Sequence, residues 1–288
     1  GIPPGGNIVT FFFTLGFGEL DLDGISMPSG DFNLGGGMIE NQNTSEPIIN
    51  TLNGFDNFPS VLVDSERPTI VSIIRQNPAT TTTSSDVLEW DFIFDEFVVN
   101  VDVTDFTISG GSFANIVNVI DQGGNTFRVT VSGGNLDFFE GPVTIALDGG
   151  TDITDAAGNN ITNFTPIGTN EDVYMMDNTS PMATVTISTD PIDLGNLTQT
   201  VFVTYSESMD FASSPTINFG SSVNFASNSD GAWSTTSFPD DTWTESFTHN
   251  GSAENIGAEM VSVPSVSGAY DIAGNADIGD DSPLFVVN

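Results

Sequence analysis

Two sets of oxygen-bearing side chains recur in this sequence at matched intervals: Asp64, Glu96, Asp155 and Asn159, then Asp177, Glu207, Asp271 and Asn275. Corresponding members stand 113, 111, 116 and 116 residues apart. Carboxylates and amide carbonyls, with no nitrogen or sulfur among them, are the donor set of calcium, which takes six to eight oxygens from side chains, backbone and water. Other chemistries lack their parts. Cysteine is absent and the only histidine is His249, so thiolate sites, His-rich zinc or iron sites and thiol nucleophiles are excluded. A Ser-His-Asp triad would rest on His249 alone, and its Thr, Asn and Gly neighbours predict an ordinary exposed turn residue. With no lysine there is no Schiff base, no P-loop lysine and no Lys-Asn isopeptide staple.

The same residues have a plainer reading. Asp-x-x-Gly-Asn is a good turn, with Gly158 and Gly274 suited to positive φ, and acids keep a surface solvated. Charge favours the ion: 39 Asp and Glu face three cations, Arg67, Arg75 and Arg128, for a net charge of −36. Such self-repulsion calls for bound divalent cations or a saline medium. It also argues against nucleic acid, which needs many cations to release counterions, and against an anionic membrane surface. No apolar run is long enough for a membrane-spanning helix. The acidic loops 19–23, 148–152, 240–241 and 277–281 are weaker candidates for the same ion.

Paired carboxylates can hydrolyse glycosides, and Asp95-Glu96 and Asp240-Asp241 are nominal pairs. Neighbours on a strand point to opposite faces, however, so the first pair cannot flank one bond. Trp90, Trp233 and Trp243 are expected in cores or over sheet ends rather than as a sugar platform. The expectation is a protein that is not an enzyme.

The elements that must position the two sets are strands. Phe127–Val131, Val143–Leu147, Ala183–Ile187 and Val201–Tyr205 alternate at period two and are separated by Gly-Gly, Asn-Gly and Asp-Gly turns. The fold class is therefore all-β, as tandem sandwich modules with an N-terminal β-rich segment. The repeat predicts module 1 over 64–176 and module 2 over 177–288, with residues 1–63 as an N-terminal segment or small domain. Val173–Met176 and Leu284–Val287 read as last strands of modules. Within 7–17, Val9, Phe11, Phe13, Leu15 and Phe17 fall on one face, an apolar row able to fill a sandwich core. That strand either folds back into its own domain or completes the sheet of a neighbouring copy, a mode that builds fibres.

The motifs Asp64–Pro68 with Asp177–Pro181, Phe94–Val98 with Tyr205–Met209, and Asp155–Asn159 with Asp271–Asn275 resemble the bacterial Ig-like repeats of extracellular surface and adhesin-type proteins. The resemblance covers about 64–288. It implies structural or adhesive work at the cell surface, with calcium often bound at module junctions. The first residue is Gly without a basic leader, which reads as a processed, exported chain. The expected function is an extracellular structural subunit that assembles with copies of itself into a filament or surface layer, stabilised by calcium. The alternative is an adhesin stalk that binds a glycan or protein on another surface.

Overall fold

The computed structural model describes residues 14, 16–21, 25–27, 30–31, 51–52, 55–58, 63–220, 224–228, 231–252, 261–263 and 268–287. The N-terminal part contributes β1 (Leu20–Asp21), β2 (Ile25–Met27), β3 (Gly30–Asp31), β4 (Thr51–Leu52), β5 (Phe55–Phe58) and β6 (Val63–Asp64). These pair antiparallel as β1 with β6, β2 with β5 and β3 with β4. Val9, Phe11, Phe13 and Leu15 lie outside the described residues. Phe17 does not continue a strand: it sits in a turn and is 80% exposed. Gly18, at φ 80°, shares that turn. The Phe17 ring lies 5.8 Å from the guanidinium of Arg67.

Next come β7 (Ile70–Asn77), β8 (Thr82–Thr83), β9 (Val87–Phe94), β10 (Val98–Val99), β11 (Phe106–Ser109), β12 (Asn115–Gly123), β13 (Thr126–Ser132), β14 (Gly141–Leu147), β15 (Thr154–Asp155) and β16 (Val173–Met176). One sheet runs in the order β12-β13-β9-β7 and a second in the order β11-β14-β16-β8. The period-two pattern does what pleat geometry requires: Leu88, Trp90, Phe92 and Phe94 of β9 point inward, as do Val143, Ile145 and Leu147 of β14. The two inner faces close one core, in which Trp90 meets Tyr174 edge-on at 4.7 Å and donates its indole N–H to the Glu171 carbonyl. This is a β-sandwich of Ig-like type.

The last part holds β17 (Ala183–Ile187), β18 (Thr198–Tyr205), β19 (Phe225–Ser227), β20 (Ala232–Ser234), β21 (Thr242–His249), β22 (Ser262–Val263) and β23 (Asp280–Asp281). Its main sheet runs β17-β18-β21-β19, with β20 also on β21. A separate core gathers Val185, Val201, Val203, Tyr205, Phe219, Trp243, Phe247 and Phe285. Residues 284–287 differ from expectation, making an isolated bridge from Val287 to Ile192 instead of a regular strand. Among the described residues the only helices are two three-residue 3-10 turns, Val103–Asp105 and Leu136–Phe138, and no helix is long and apolar enough to cross a membrane.

His249 corrects an expectation. It ends β21, is 2% exposed, and packs 5.0 Å from the Phe225 ring. Its apolar partners are distant in sequence, so its polar neighbours misled. The tryptophans lie in or against the two cores, as expected.

Candidate metal centre

In each sandwich three carboxylates are drawn to one pole by three different pieces of chain. Asp64 ends β6 at the entry to the first sandwich, Glu96 lies in the bend after β9, and Asp155 ends β15 at the start of a tight turn. β10 and β15 pair with Val98 opposite Asp155, which sets Glu96 two residues from the partner of Asp155. The second sandwich repeats the device: Met209 bridges Asp271, and Glu207 stands two residues before Met209. One oxygen from each of Asp64, Glu96 and Asp155 lies within 4.8 Å of the others, and the same holds for Asp177, Glu207 and Asp271.

The turns that aim these groups are equally matched. The Asp155 N–H donates to the Asn159 carbonyl at 3.1 Å and the Asp271 N–H to the Asn275 carbonyl at 3.0 Å. Gly158 and Gly274 take φ of 92° and 97°, where a side chain would strain the backbone. The asparagines also tie each turn to the entry aspartate. Asn159 donates its amide N–H to the Asp64 carbonyl at 3.0 Å and to Asp155 Oδ2 at 2.7 Å, and its backbone N–H to Asp155 Oδ1 at 2.8 Å. Asn275 does the same to the Asp177 carbonyl at 2.8 Å, Asp271 Oδ2 at 2.9 Å and Asp271 Oδ1 at 2.8 Å. Each clamps the buried aspartate to the entry aspartate's carbonyl through its amide nitrogen, a donor, and keeps its amide oxygen as the atom able to face a cation. Asp155 and Asp271 are 2% and 1% exposed.

Electrostatics differ within each triad. Burial, then the charges of Asp155, Asp64, Asp95 and Glu66, push Glu96 up to about 7. Burial, then Asp177, Asp271 and Glu140, push Glu207 up to about 7. Burial works against Asp155 too, but hydrogen bonds from the Asn159 side chain and backbone, with the Gly158 and Ala157 N–H groups, hold it below its usual range. Asp177 is raised by burial, then by Asp271 and Glu140. The ion pairs among the described residues join Arg75 to Glu171 and Arg128 to Asp91, so neither touches a triad.

These shifts predict a pH dependence with a definite sign for protein held in chelator. A carboxyl whose folded pKa exceeds its unfolded one binds more protons when folded, so its contribution is complete below about 4.5 and is lost as pH rises to about 7. Allowing for solvent screening, each of Glu96 and Glu207 should take away about 1 kcal/mol over that window. Urea unfolding in chelator at several pH values checks this, and Glu96→Gln with Glu207→Gln should flatten the slope.

Other sequence candidates have structural roles. Asp241 is fully buried and accepts from the N–H groups of Thr236, Ser237 and Phe238 at 2.7, 2.7 and 2.8 Å, which fastens the 236–241 loop. Those bonds outweigh burial and hold its carboxyl far below the usual range. Asp95 is tied to Thr69, accepting from its N–H at 2.8 Å and its hydroxyl at 2.7 Å. It lies in a bend with Glu96, not on a strand, and its side chain bonds away from the triad's aspartates.

No family model matches the sequence, and no curated protein matches it. Among solved structures, the titin Ig tandem domains A164-A165 align with 77% of this chain and 96% of theirs, at 12% identity and a TM-score of 0.21.

Proposed function

We propose that this chain is an extracellular structural subunit, built of Ig-like modules, that binds calcium at Asp64, Glu96 and Asp155 and at Asp177, Glu207 and Asp271, and joins copies of itself into a filament or surface layer. The observation that carries the ion is the duplicated convergence of three carboxylates, oxygen-only and, among the described residues, unaccompanied by an ion pair. The donors fit a hard cation: three carboxylates from each module, with further positions open to backbone oxygen or water. Two carboxyls pushed up to about 7 mark the repulsion that a divalent ion relieves.

Assembly is supported by the apolar alternation in 7–17, which offers main-chain hydrogen bonds and alternate side chains to an open sheet edge. The test is negative-stain imaging with light scattering, in millimolar calcium and then in chelator, on the intact chain and on one lacking residues 1–17. Polymers of the intact chain that shorten in chelator and vanish on truncation are expected. A truncated chain that polymerises equally well refutes strand donation. Monodisperse intact chains in both buffers refute self-assembly and favour an adhesin stalk.

A further inference from the structure

The two sandwiches are joined by more than a covalent linker. Asn178, the residue after the entry aspartate Asp177, donates its side-chain amide to the carbonyls of Leu136 at 2.9 Å and Phe139 at 2.8 Å, both on the 3-10 turn of the first sandwich. Its backbone N–H goes to Glu140 Oε1 at 2.8 Å, and the Thr179 hydroxyl reaches the same oxygen at 3.1 Å. On the other side of the linker, Ser84 of the first sandwich donates both its N–H and its hydroxyl to the Ala273 carbonyl, each at 3.0 Å. Ala273 lies on the turn that carries Asp271.

The same clamp stands one unit upstream, in different residues. Ser65 follows the entry aspartate Asp64, and its hydroxyl lies 2.9 Å from the carbonyls of both Gly16 and Glu19. Its backbone N–H donates to the Glu19 carbonyl at 2.9 Å. In both places the acceptors are two carbonyls three residues apart on a turn. In both, that turn leads into a strand antiparallel to the one that runs up to the entry aspartate: β1 on β6, which ends at Asp64, with Asp21 opposite Val63, and β14 on β16, which ends one residue before Asp177, with Gly141 opposite Met176. Residues 16–21 therefore stand to the first sandwich as residues 136–141 stand to the second.

We infer that the chain is jointed by one device used twice: the residue after each entry aspartate grips the terminal turn of the unit before it, so the segment ending at Asp64 docks on the first sandwich as the first docks on the second. The partner surface of each module's entry is thus a turn that presents two carbonyls at i and i+3. Side-chain identity there is free, because the backbone supplies the acceptors. The joints transmit orientation along the chain through these hydrogen bonds.

The test is made in chelator, so that it does not depend on calcium binding. The chain has no cysteine, so spin labels at Thr107→Cys and Thr184→Cys, both on exposed strand positions, report the distance between the sandwiches. A single narrow distance distribution is expected, which Asn178→Ala broadens and Ser84→Ala broadens less. Hydrogen exchange of residues 16–21 should lose its protection in Ser65→Ala and keep it in Asn178→Ala. Module melting by urea should be unchanged in all three. A distribution as narrow in Asn178→Ala as in the parent, or protection at 16–21 that ignores Ser65→Ala, overturns the inference. Should Asn178→Ala unfold a module, Ser84→Ala alone decides: a broadened distribution supports the joint and an unchanged one overturns it.

Discussion

Protein stripped of divalent ions is expected to gain about 6–20 °C in melting temperature on addition of 10 mM calcium. Extracellular calcium modules bind with dissociation constants of about 10⁻⁴–10⁻³ M. At about 10–100 times that concentration, binding to the folded state alone stabilises by about 1.4–2.7 kcal/mol per site. For domains of roughly a hundred residues, about 1 kcal/mol moves the midpoint by about 4–8 °C. Each sandwich carries its own triad, so the response should divide. Glu96→Gln with Asp155→Asn should abolish the shift of the first sandwich and leave that of the second, and Glu207→Gln with Asp271→Asn should do the reverse. Magnesium should act more weakly, since it demands near-ideal octahedral geometry and dehydrates reluctantly. A midpoint that ignores calcium in the parent protein sinks the metal assignment.

Removing the asparagine clamps should cost at least as much from within the fold. Asn159→Ala leaves the Asp64 carbonyl without its amide partner and strips one donor from a carboxylate that is almost fully buried. Breaking hydrogen bonds so that buried acceptors are left unmet costs about 1–3 kcal/mol per group, more for a charged one, so the expected loss is about 2–4 kcal/mol. Asn275→Ala should match it through the Asp177 carbonyl and Asp271. Chemical denaturation of each variant in chelator is the measurement, because calcium would partly mask the defect. Calcium affinity should also fall, since the clamp sets where Asp155 and Asp271 point. Losses below about 0.5 kcal/mol, within the range of ordinary surface substitutions, would mean that the clamp holds nothing.

Much of the architecture is legible in the chain because it is written locally. Alternation along Phe127–Val131 or Val201–Tyr205 fixes which side chains face inward, and the pleat carries that choice straight into the sandwich cores. The Ala-Gly-Asn turns are local too, and Gly158 and Gly274 have the positive φ that their spacing predicts. Alternation failed at Phe17: it matches the row that begins at Val9, yet it lies in a turn with Gly18 at positive φ. His249 failed for the opposite reason, since the aromatic ring that buries it comes from another strand.

The sequence by itself determined an all-β repeat, the absence of cysteine and of all but one histidine, and a surplus of carboxylates in two corresponding sets. Tertiary structure alone decided that Asp64 meets Asp155 across about ninety residues, because only the sandwich brings the entry strand, the bend after β9 and the turn after β15 to one pole. It also decided that Asn159 and Asn275 donate to the carbonyls of Asp64 and Asp177, and that Ser65 and Asn178 serve one purpose. Their partners are backbone carbonyls, which every residue carries, so no pattern of side chains could announce them.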